Sequence, residues 1–338
     1  MQPPDPPLMS AVTTRGFQIA GFSEAVLIVR DERPHLDCWV GNGGWVVRHQ
    51  GTVDPHLLAA WGRPGAIGQE WLLAHPDCDT GFVRLLRLEG AGPQQDIRAD
   101  DQCWDSGGIF DLNVRVLDVD AMAARMRALQ WHGVAPPVAW DFGTLGVKEW
   151  LVRGPDNVRL ALIERLHPPL VGFDHLRDFS QVFNSSQIVR DVDVALAFYR
   201  DVLGFQIASR YASPGFAPGP NLFGAPPGLA SQIGLTLCIV HPQGQVEGSV
   251  ELVAAPGAGG RDLSADAGPP HFGMATLRFP TRGIDALARH VEATGHPLAM
   301  PPTTVTLSPH GDVRLLALRA PDGAWLEFFE AATPVLAG

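Results

Sequence analysis

Two glutamates in the second half of the chain lie within strongly apolar stretches, where a carboxylate can do chemistry. Glu251 stands among valine and leucine residues, and Glu327 stands between aromatic residues. Successive side chains of a β-strand point to opposite faces, so Trp325, Glu327 and Phe329 share one face of a predicted strand. A carboxylate in apolar surroundings can bind a cation or, if its pKa is raised, transfer protons. We therefore predict that Glu251 and Glu327 are catalytic residues.

The elements that hold these glutamates belong to an internal repeat. The four residues Ile188-Val189-Arg190-Asp191 also occur as Ile28-Val29-Arg30-Asp31, 160 residues earlier. The pairs Pro155-Asp156 and Pro321-Asp322 follow in the same order, 166 residues apart. A repeat at this spacing indicates a duplicated structural unit. Positions in the two halves can therefore be compared directly.

Each half is predicted to contain two units in which a strand and a helix are followed by further strands. The clearest helices are predicted over 191–203, where Gly204 ends the helix, and over 284–294. Each carries an apolar stripe at helical spacing. Consecutive prolines within 165–172 mark the predicted hinge between the halves.

Composition restricts the classes of partner. The chain of 338 residues is 46% hydrophobic and 18% charged, which is typical of globular domains with apolar cores. A formal net charge of −11 argues against nucleic-acid and membrane partners, because both require clustered Lys and Arg. No signal peptide and no membrane-spanning run is visible. Four scattered cysteines, without a close pair of metal-site or redox spacing, are predicted to be free thiols in a cytoplasmic protein.

Two motifs of the second half carry a family resemblance. Asp191-Val192-Asp193 followed by Ala197-Phe198-Tyr199-Arg200-Asp201-Val202-Leu203-Gly204-Phe205 resembles the signature of the vicinal oxygen chelate superfamily, which includes glyoxalase I, bleomycin-resistance proteins and extradiol dioxygenases. Pro321-Asp322-Gly323 with Trp325-Leu326-Glu327 resembles its closing strand. The resemblance implies an α+β fold of four βαββ modules that form two tandem half-barrel domains, over 1–167 and 173–338. It does not fix the reaction, because one fold serves many chemistries.

The resemblance also implies positions for a metal ion. In this superfamily the ligands come from the first and last strands of paired modules, which places Glu251 and Glu327 at closing-strand positions and His271 at the opening of the fourth module. It implies one divalent ion held by these three residues, with Fe, Mn, Zn and Ni not distinguished, or no metal. The usual histidine position of the third module is Asn184, a poor ligand for transition metals. This residue argues against a ring-cleaving dioxygenase, which needs two histidines and a carboxylate.

The first half serves as an internal control for these positions. Glu24 is the counterpart of Asn184, Arg84 replaces Glu251, and Ala161 replaces Glu327. An arginine and an alanine at ligand positions do not make a metal site. Glu24 and Arg84 are instead expected to pair across the sheet, so the first half is interpreted as a degenerate scaffold.

Two functions remain open. The first is an enzyme, an isomerase, lyase or hydrolase, that acts on a small oxygenated organic molecule and stabilises an enolate or related oxyanion with a divalent ion. The second is a metal-free protein that binds or sequesters a ligand. In both, the chain is expected to be a monomer or a homodimer, and the loop 212–231 is expected to be a lid. The predicted substrate-binding residues are Asn184, Ser186, Trp325, Phe329, Phe216 and Phe223.

Overall fold

The computed structural model describes residues 15–332 apart from 142 and 218. They form four modules in two curled sheets with few helices, which confirms the predicted α+β half-barrel fold. Each module has a strand, a helix and then three strands, one more than the expected βαββ order, and the first of the three is split in the second module. Residues 1–14 and 333–338 of the predicted domains, and residue 218 of the predicted lid, lie outside the described residues.

The first half supplies modules 1 and 2. Its elements are β1 (Gln18–Ile19), β2 (Glu24–Ile28), α1 (Arg33–Leu36), a π-helical turn (Asp37–Asn42), β3 (Val46–Thr52), α2 (Pro55–Ala60), β4 (Ile67–Ala74), β5 (Phe82–Glu89), β6 (Asp111–Val116), α3 (Val119–Ala128), β7 (His132–Gly133), β8 (Val138–Asp141), β9 (Gly146–Arg153), a 3-10 turn (Pro155–Asn157) and β10 (Arg159–His167). Module 1 spans β2 to β5, and module 2 spans β6 to β10.

The second half supplies modules 3 and 4. Its elements are β11 (Asn184–Ile188), α4 (Val192–Ala197), a π-helical turn (Phe198–Val202), β12 (Gln206–Ser213), α5 (Pro227–Ala230), β13 (Leu235–His241), β14 (Ser249–Ala254), a 3-10 turn (Ser264–Asp266), β15 (Gly273–Arg282), α6 (Ile284–Ala293), β16 (Leu298–Leu307), β17 (Gly311–Arg319) and β18 (Trp325–Ala331). The predicted helix over 191–203 is therefore present, with its last turn widened. Gly204 ends it at a φ of 79°, in the left-handed region that favours glycine.

The two sheets combine modules from both halves. Sheet I has the strand order β16-β17-β18-β15-β2-β5-β4-β3, so it joins module 4 to module 1, with β1 added on β15. Sheet II has the order β12-β13-β14-β11-β6-β10-β9-β7, so it joins module 3 to module 2, with β8 added on β9. In each sheet the opening strands of the two modules pair antiparallel at the centre. This seam places Glu24 opposite Arg278 in sheet I and Asn113 opposite Asn184 in sheet II.

The repeated sequence motifs meet each other where the two sheets join. The backbone N–H of Arg30 donates to the carboxylate of Asp156 at 3.3 Å, and the Arg30 guanidinium contacts the same carboxylate at 2.8 Å. In the second half the backbone N–H of Arg190 donates to Asp322 at 3.0 Å. Each contact links an odd-numbered module to the module that follows it, and so links one sheet to the other.

The largest apolar core lies where the helices pack on the convex faces of both sheets. It draws on all four modules, as Leu27, Met126, Leu196 and Leu287 show. The opposite face of each sheet has a separate apolar cluster. In the part of the chain that the structure describes, no helix has the length and apolar character needed to cross a membrane.

Phe279 lies at the centre of the shared core and provides a test of it. Its ring stacks on Phe328 of the same sheet at 5.2 Å and contacts Phe205 of the other sheet at 5.9 Å. We expect Phe279→Ala to lower the free energy of unfolding by about 3–5 kcal/mol, because the cavity cannot close fully. Val171→Ala, at a side chain that is 87% exposed, is the control and should change it by less than about 0.5 kcal/mol. Urea denaturation measures both, and equal effects of the two substitutions would contradict the shared core.

Candidate functional site

The concave face of sheet I is closed by a buried network of ion pairs. Arg84 forms two parallel hydrogen bonds to the carboxylate of Glu24, both at 2.8 Å. Arg278 donates to Glu24 at 2.7 Å and to Glu327 at 2.7 Å. All four side chains are at most 3% exposed. The expected pairing of Glu24 with Arg84 is thus confirmed, within a larger network.

Further groups complete this network. The indole N–H groups of Trp61 and Trp325 both donate to one oxygen of Glu327, at 2.7 and 3.2 Å. Glu70 accepts a hydrogen bond from Arg84 at 2.8 Å. Burial alone would raise the pKa of Glu24, but the charges and hydrogen bonds of Arg84 and Arg278 outweigh it and lower the pKa to about 2. Glu24 is therefore ionised, and the carboxyl groups of this face are already bound to cations of the protein itself.

The positions that a metal ion would need are occupied in sheet I by guanidinium groups. Arg278 bridges Glu24 and Glu327, and Arg84 bridges Glu24 and Glu70, where the strands of modules 1 and 4 meet. A divalent cation does not fit beside two arginines whose charges already satisfy the carboxylates. Glu327, predicted to be catalytic and a metal ligand, instead forms an ion pair with Arg278 and accepts hydrogen bonds from two indole N–H groups.

The predicted metal ligands His271, Glu251 and Glu327 are not brought together. Glu251 lies on β14 of sheet II, whereas Glu327 lies on β18 of sheet I, because module 4 pairs with module 1 instead of module 3. His271 precedes β15, and its Nδ1 accepts the backbone N–H of Gln95 at 3.0 Å. Its Nε2 lies 3.8 Å from Asp266. Trp325 and Phe329, predicted to bind substrate, also lie on sheet I within the packed cluster of that face.

Sheet II carries amides at the corresponding seam positions. Asn113 and Asn184 face each other on β6 and β11, and Asn184 Nδ2 donates to Glu251 at 3.5 Å. Both asparagines are 2% exposed. Among the described residues, neither of the two Oδ1 atoms has a hydrogen-bond partner. The seam of sheet II therefore presents two buried acceptor oxygens beside a carboxyl group, with no arginine between them.

A cavity opens on this face of sheet II and contains three carboxyl groups, those of Asp111, Glu149 and Glu251. The Ser186 backbone N–H donates to Asp111 at 3.1 Å. The rest of the lining is apolar or aromatic, and none of the described lining residues is Lys, Arg or His. The complete lining is Phe110, Asp111, Trp140, Glu149, Leu151, Ser186, Ile188, Leu222, Phe223, Leu235, Leu237, Glu251 and Val253.

Burial in a cavity whose described lining has no positive side chain raises the pKa of all three carboxyl groups. Burial is the main cause for Glu251, the nearby Asp111 adds to it, and the pKa reaches about 7 despite hydrogen bonds from Asn184, Ser186 and Asn113. For Asp111, burial again dominates and raises the pKa to about 6. The pKa of Glu149 is raised well above its usual value by burial and by the other two carboxyl groups. Near neutral pH the Glu251 carboxyl group is therefore present in both its protonated and its ionised form.

Two groups of side chains support the walls of the cavity. The guanidinium groups of Arg98 and Arg159 lie over the Phe110 ring at 5.0 and 4.5 Å and both bind Asp101. On the other side, Phe216 packs edge-on against Trp140 at 5.7 Å. Phe216 also contacts Phe223 at 5.4 Å. The predicted loop 212–231 thus covers this cavity.

The structure brings together part of the predicted site. Asn184, Ser186, Phe216 and Phe223 lie around Glu251, as a ligand site requires. Sequence analysis missed Asp111, Glu149 and Asn113, all from the first half. The interpretation of that half as only a scaffold does not describe this cavity, because sheet II combines strands of modules 2 and 3. Asn113 and Arg278 occupy the same seam position, 165 residues apart, so the repeat spacing itself held a signal for Asn113.

Known proteins resemble this chain in sequence and in structure. Residues 172–328 match the family model of the Glyoxalase/Bleomycin resistance protein/Dioxygenase superfamily. Glyoxalase I from Zea mays is 13% identical, with a TM-score of 0.58 and 94% of each chain covered. A mutant of the same enzyme has a TM-score of 0.62 at 14% identity, covering 94% of this chain and 95% of that one. A putative dioxygenase from Bacillus subtilis is 10% identical, with a TM-score of 0.54 over 94% and 86% of the two chains. No curated protein matches this chain in sequence.

The ion-pair network of sheet I predicts a large and pH-dependent contribution to stability. We expect Glu24→Gln to lower the free energy of unfolding at pH 7 by about 3–5 kcal/mol, because two buried arginines lose their shared carboxylate. Since the pKa of Glu24 is lowered to about 2 on folding, its contribution is present above its usual pKa and is lost as the pH falls towards about 2. Urea denaturation of both proteins at pH 7 and pH 3 should show the difference narrowing at low pH.

The matched control for this substitution is Glu247→Gln. Glu247 pairs with Arg115 at 2.9 Å, but its side chain is 49% exposed, so the loss should be below about 1 kcal/mol. A loss for Glu24→Gln as small as that of the control would show that the network does not hold the seam.

Proposed function

Residues 172–328 belong to the superfamily of glyoxalases, bleomycin resistance proteins and dioxygenases, and from this premise we propose that the chain is an enzyme that transfers protons on a small oxygenated organic molecule in the cavity of sheet II. The observation that carries the proposal is Glu251. Its pKa of about 7 suits a group that both accepts and donates a proton at neutral pH. Such a group in an apolar cavity is typical of general acid–base sites.

The side chains around Glu251 suggest how the reaction proceeds. Ionised Glu251 takes a proton from the carbon next to a substrate carbonyl and returns it to a neighbouring position, which makes the enzyme an isomerase; in a lyase the enolate would instead expel a leaving group from the adjacent carbon. Glu149, whose pKa is raised well above its usual value, would donate a hydrogen bond to the oxyanion that forms. The aromatic and aliphatic walls exclude water, which strengthens this hydrogen bond.

The oxygen atoms at the seam fit a hard divalent cation. Glu251, with the unpartnered Oδ1 atoms of Asn113 and Asn184, would hold Mg²⁺ or Mn²⁺, which prefer carboxylate and carbonyl oxygens. Such an ion supplies positive charge that stabilises an enolate. Fe, Zn and Ni sites generally use imidazole or thiolate, and the described lining residues include neither. The same lining argues against an extradiol dioxygenase site of two histidines and a carboxylate.

A second candidate function is the binding of an organic cation without catalysis. Three carboxyl groups lie in one cavity whose described lining has no positive side chain, so a ligand with an amino group would supply the missing charge. An aromatic wall such as Trp140 suits a cation on the face of its ring. A resistance-type protein that sequesters such a molecule would bind it equally well when Glu251 is unable to shuttle protons.

Proton exchange with solvent separates the two functions. In D₂O we expect the protein to incorporate deuterium next to the carbonyl of at least one compound in a panel of small 2-oxo and 2-hydroxy carbonyl compounds, followed by NMR. Glu251→Gln should slow the exchange by about 10²–10⁴-fold, the usual contribution of a general acid–base group. Below pH 7 the exchange rate should rise about tenfold for each unit by which the pH is increased, since Glu251 must be ionised to act as a base.

Glu247→Gln removes a carboxylate outside the cavity and should keep the wild-type exchange rate. Tight binding of amines with no exchange for any compound would favour the second function. Exchange that Glu251→Gln leaves unchanged would exclude Glu251 as the base.

Binding of Mn²⁺ tests whether the seam of sheet II holds a divalent cation. The electron paramagnetic resonance signal of the free ion measures this binding. Because Glu251 has a raised pKa of about 7, it must lose its proton to bind a cation. We therefore expect the apparent affinity for Mn²⁺ to rise with pH up to about 7 and then to level off. The affinity should fall in Glu251→Gln and remain in Glu247→Gln. Pronounced binding that persists in Glu251→Gln would place the ion elsewhere.

A further inference from the structure

Three side chains with strong metal-binding atoms lie close together outside the cavity of sheet II. One ligand atom each of His75, Cys78 and His175 lies within 4.8 Å of the other two. His75 follows β4 directly, Cys78 lies in the turn before β5, and His175 lies in the segment that joins the two halves. None of the three lines the cavity of sheet II.

The distance between His75 and Cys78 suits a tetrahedral metal ion. His75 Nδ1 and Cys78 Sγ are 3.6 Å apart. Two ligands at the usual Zn–N and Zn–S bond lengths, about 2.0 and 2.3 Å, are about 3.5 Å apart at a tetrahedral angle. The nitrogen and sulfur thus already stand at the separation that a shared zinc ion imposes.

One of the ligand atoms is available for a metal. His175 Nε2 is buried and has no hydrogen-bond partner among the described residues, although buried ring nitrogens are nearly always paired. His75 Nδ1 accepts the Asp77 backbone N–H at 3.2 Å and lies beside the Cys78 thiol, so a metal ion bound to this nitrogen would replace that hydrogen bond. A metal ion that binds Cys78 displaces the thiol proton to solvent.

Arg48 and Gln181 lie beside Cys78, and Gln181 offers a fourth ligand. Arg48 donates to the carbonyl of Cys78 at 2.8 Å and places its charge beside the sulfur. Burial raises the pKa of the Cys78 thiol, and Arg48 opposes this rise. The side-chain oxygen of Gln181 lies 3.6 Å from Cys78 Sγ. It, or a water molecule, would occupy the remaining tetrahedral position.

We propose that His75, Cys78 and His175 form a binding site for Zn²⁺. Imidazole and thiolate ligands select this ion over Mg²⁺ and Mn²⁺, which the oxygen-lined seam of sheet II favours. The two sites therefore differ in ligand chemistry as well as in position.

The position of this zinc site indicates a structural role. It ties the turn before β5 in sheet I to the segment that leads into β11 of sheet II. The two already touch, since the Val182 N–H donates to the Gly81 carbonyl at 3.2 Å. A side chain at Gly81 would meet the Val182 carbonyl oxygen at 2.2 Å, so the contact is close. A bound ion adds a strong link where the linker crosses between the sheets.

Cobalt substitution tests the site with a signal that only a cysteine ligand gives. We expect the chelator-treated full-length protein to bind one equivalent of Co²⁺ with a thiolate-to-cobalt charge-transfer band in the near ultraviolet, and Zn²⁺ to displace it. Cys78→Ser should abolish the band, and His175→Gln should weaken Co²⁺ binding at least about 100-fold. The matched control is His132→Gln, at an exposed histidine of β7, which should bind like the wild type.

A second measurement avoids substitutions altogether. The other three cysteines are buried, and all four are free, so a thiol reagent under native conditions should modify Cys78 first. Bound Zn²⁺ should slow this modification at least about 100-fold, as peptide mass spectrometry would show. The proposal is overturned if wild-type protein binds Co²⁺ without a thiolate band, or if Zn²⁺ leaves the modification rate of Cys78 unchanged. Loss of proton exchange in Glu251→Gln bears on the cavity alone and leaves this result intact.

Discussion

The pairing of buried charges at the seam of sheet I is the constraint on which the rest of the structure depends. Removing each ion from water costs several kcal/mol, and only a complete set of partners offsets that cost. Glu24, Arg84, Arg278 and Glu327 provide most of it, together with two indole N–H groups, although Arg278 Nη2 has no hydrogen-bond partner among the described residues. These contacts form only when modules 1 and 4 lie side by side. The seam therefore decides which modules pair, and modules 2 and 3 are left to form sheet II.

Sheet II has the opposite balance of charge. Its seam residues are amides, and the carboxyl groups of its cavity have no cationic partner in the described lining. Burial raises the pKa values of Asp111 and Glu251, so the folded protein holds these protons more tightly than the unfolded chain. Their effect is to lower stability as the pH rises towards 7, whereas Glu24 adds stability above its lowered pKa. Sheet II, whose buried carboxyl groups lower the stability of the protein near neutral pH, is therefore the sheet suited to acid–base chemistry.

The sequence predicted the modules better than it predicted their arrangement. The helix that ends at Gly204 and the Glu24–Arg84 pair depend on neighbours within one module, and the structure contains them. The set of His271, Glu251 and Glu327 required modules 3 and 4 to pair, and that choice depends on Glu24 meeting Arg278 across 254 residues. Nothing local to either strand encodes this contact. Asp111 and Glu149 were missed for the same reason, since their partner Glu251 lies in the other half.

The contacts between the repeated motifs have a topological consequence. Arg30 with Asp156 joins module 1 to module 2, and Arg190 with Asp322 joins module 3 to module 4. The two seams join module 2 to module 3 and module 4 to module 1. The four modules thus form a closed ring in which each has two neighbours. A chain cut between residues 167 and 173 would leave every one of these contacts in place. The ring of contacts between modules therefore does not depend on the peptide link between the two halves.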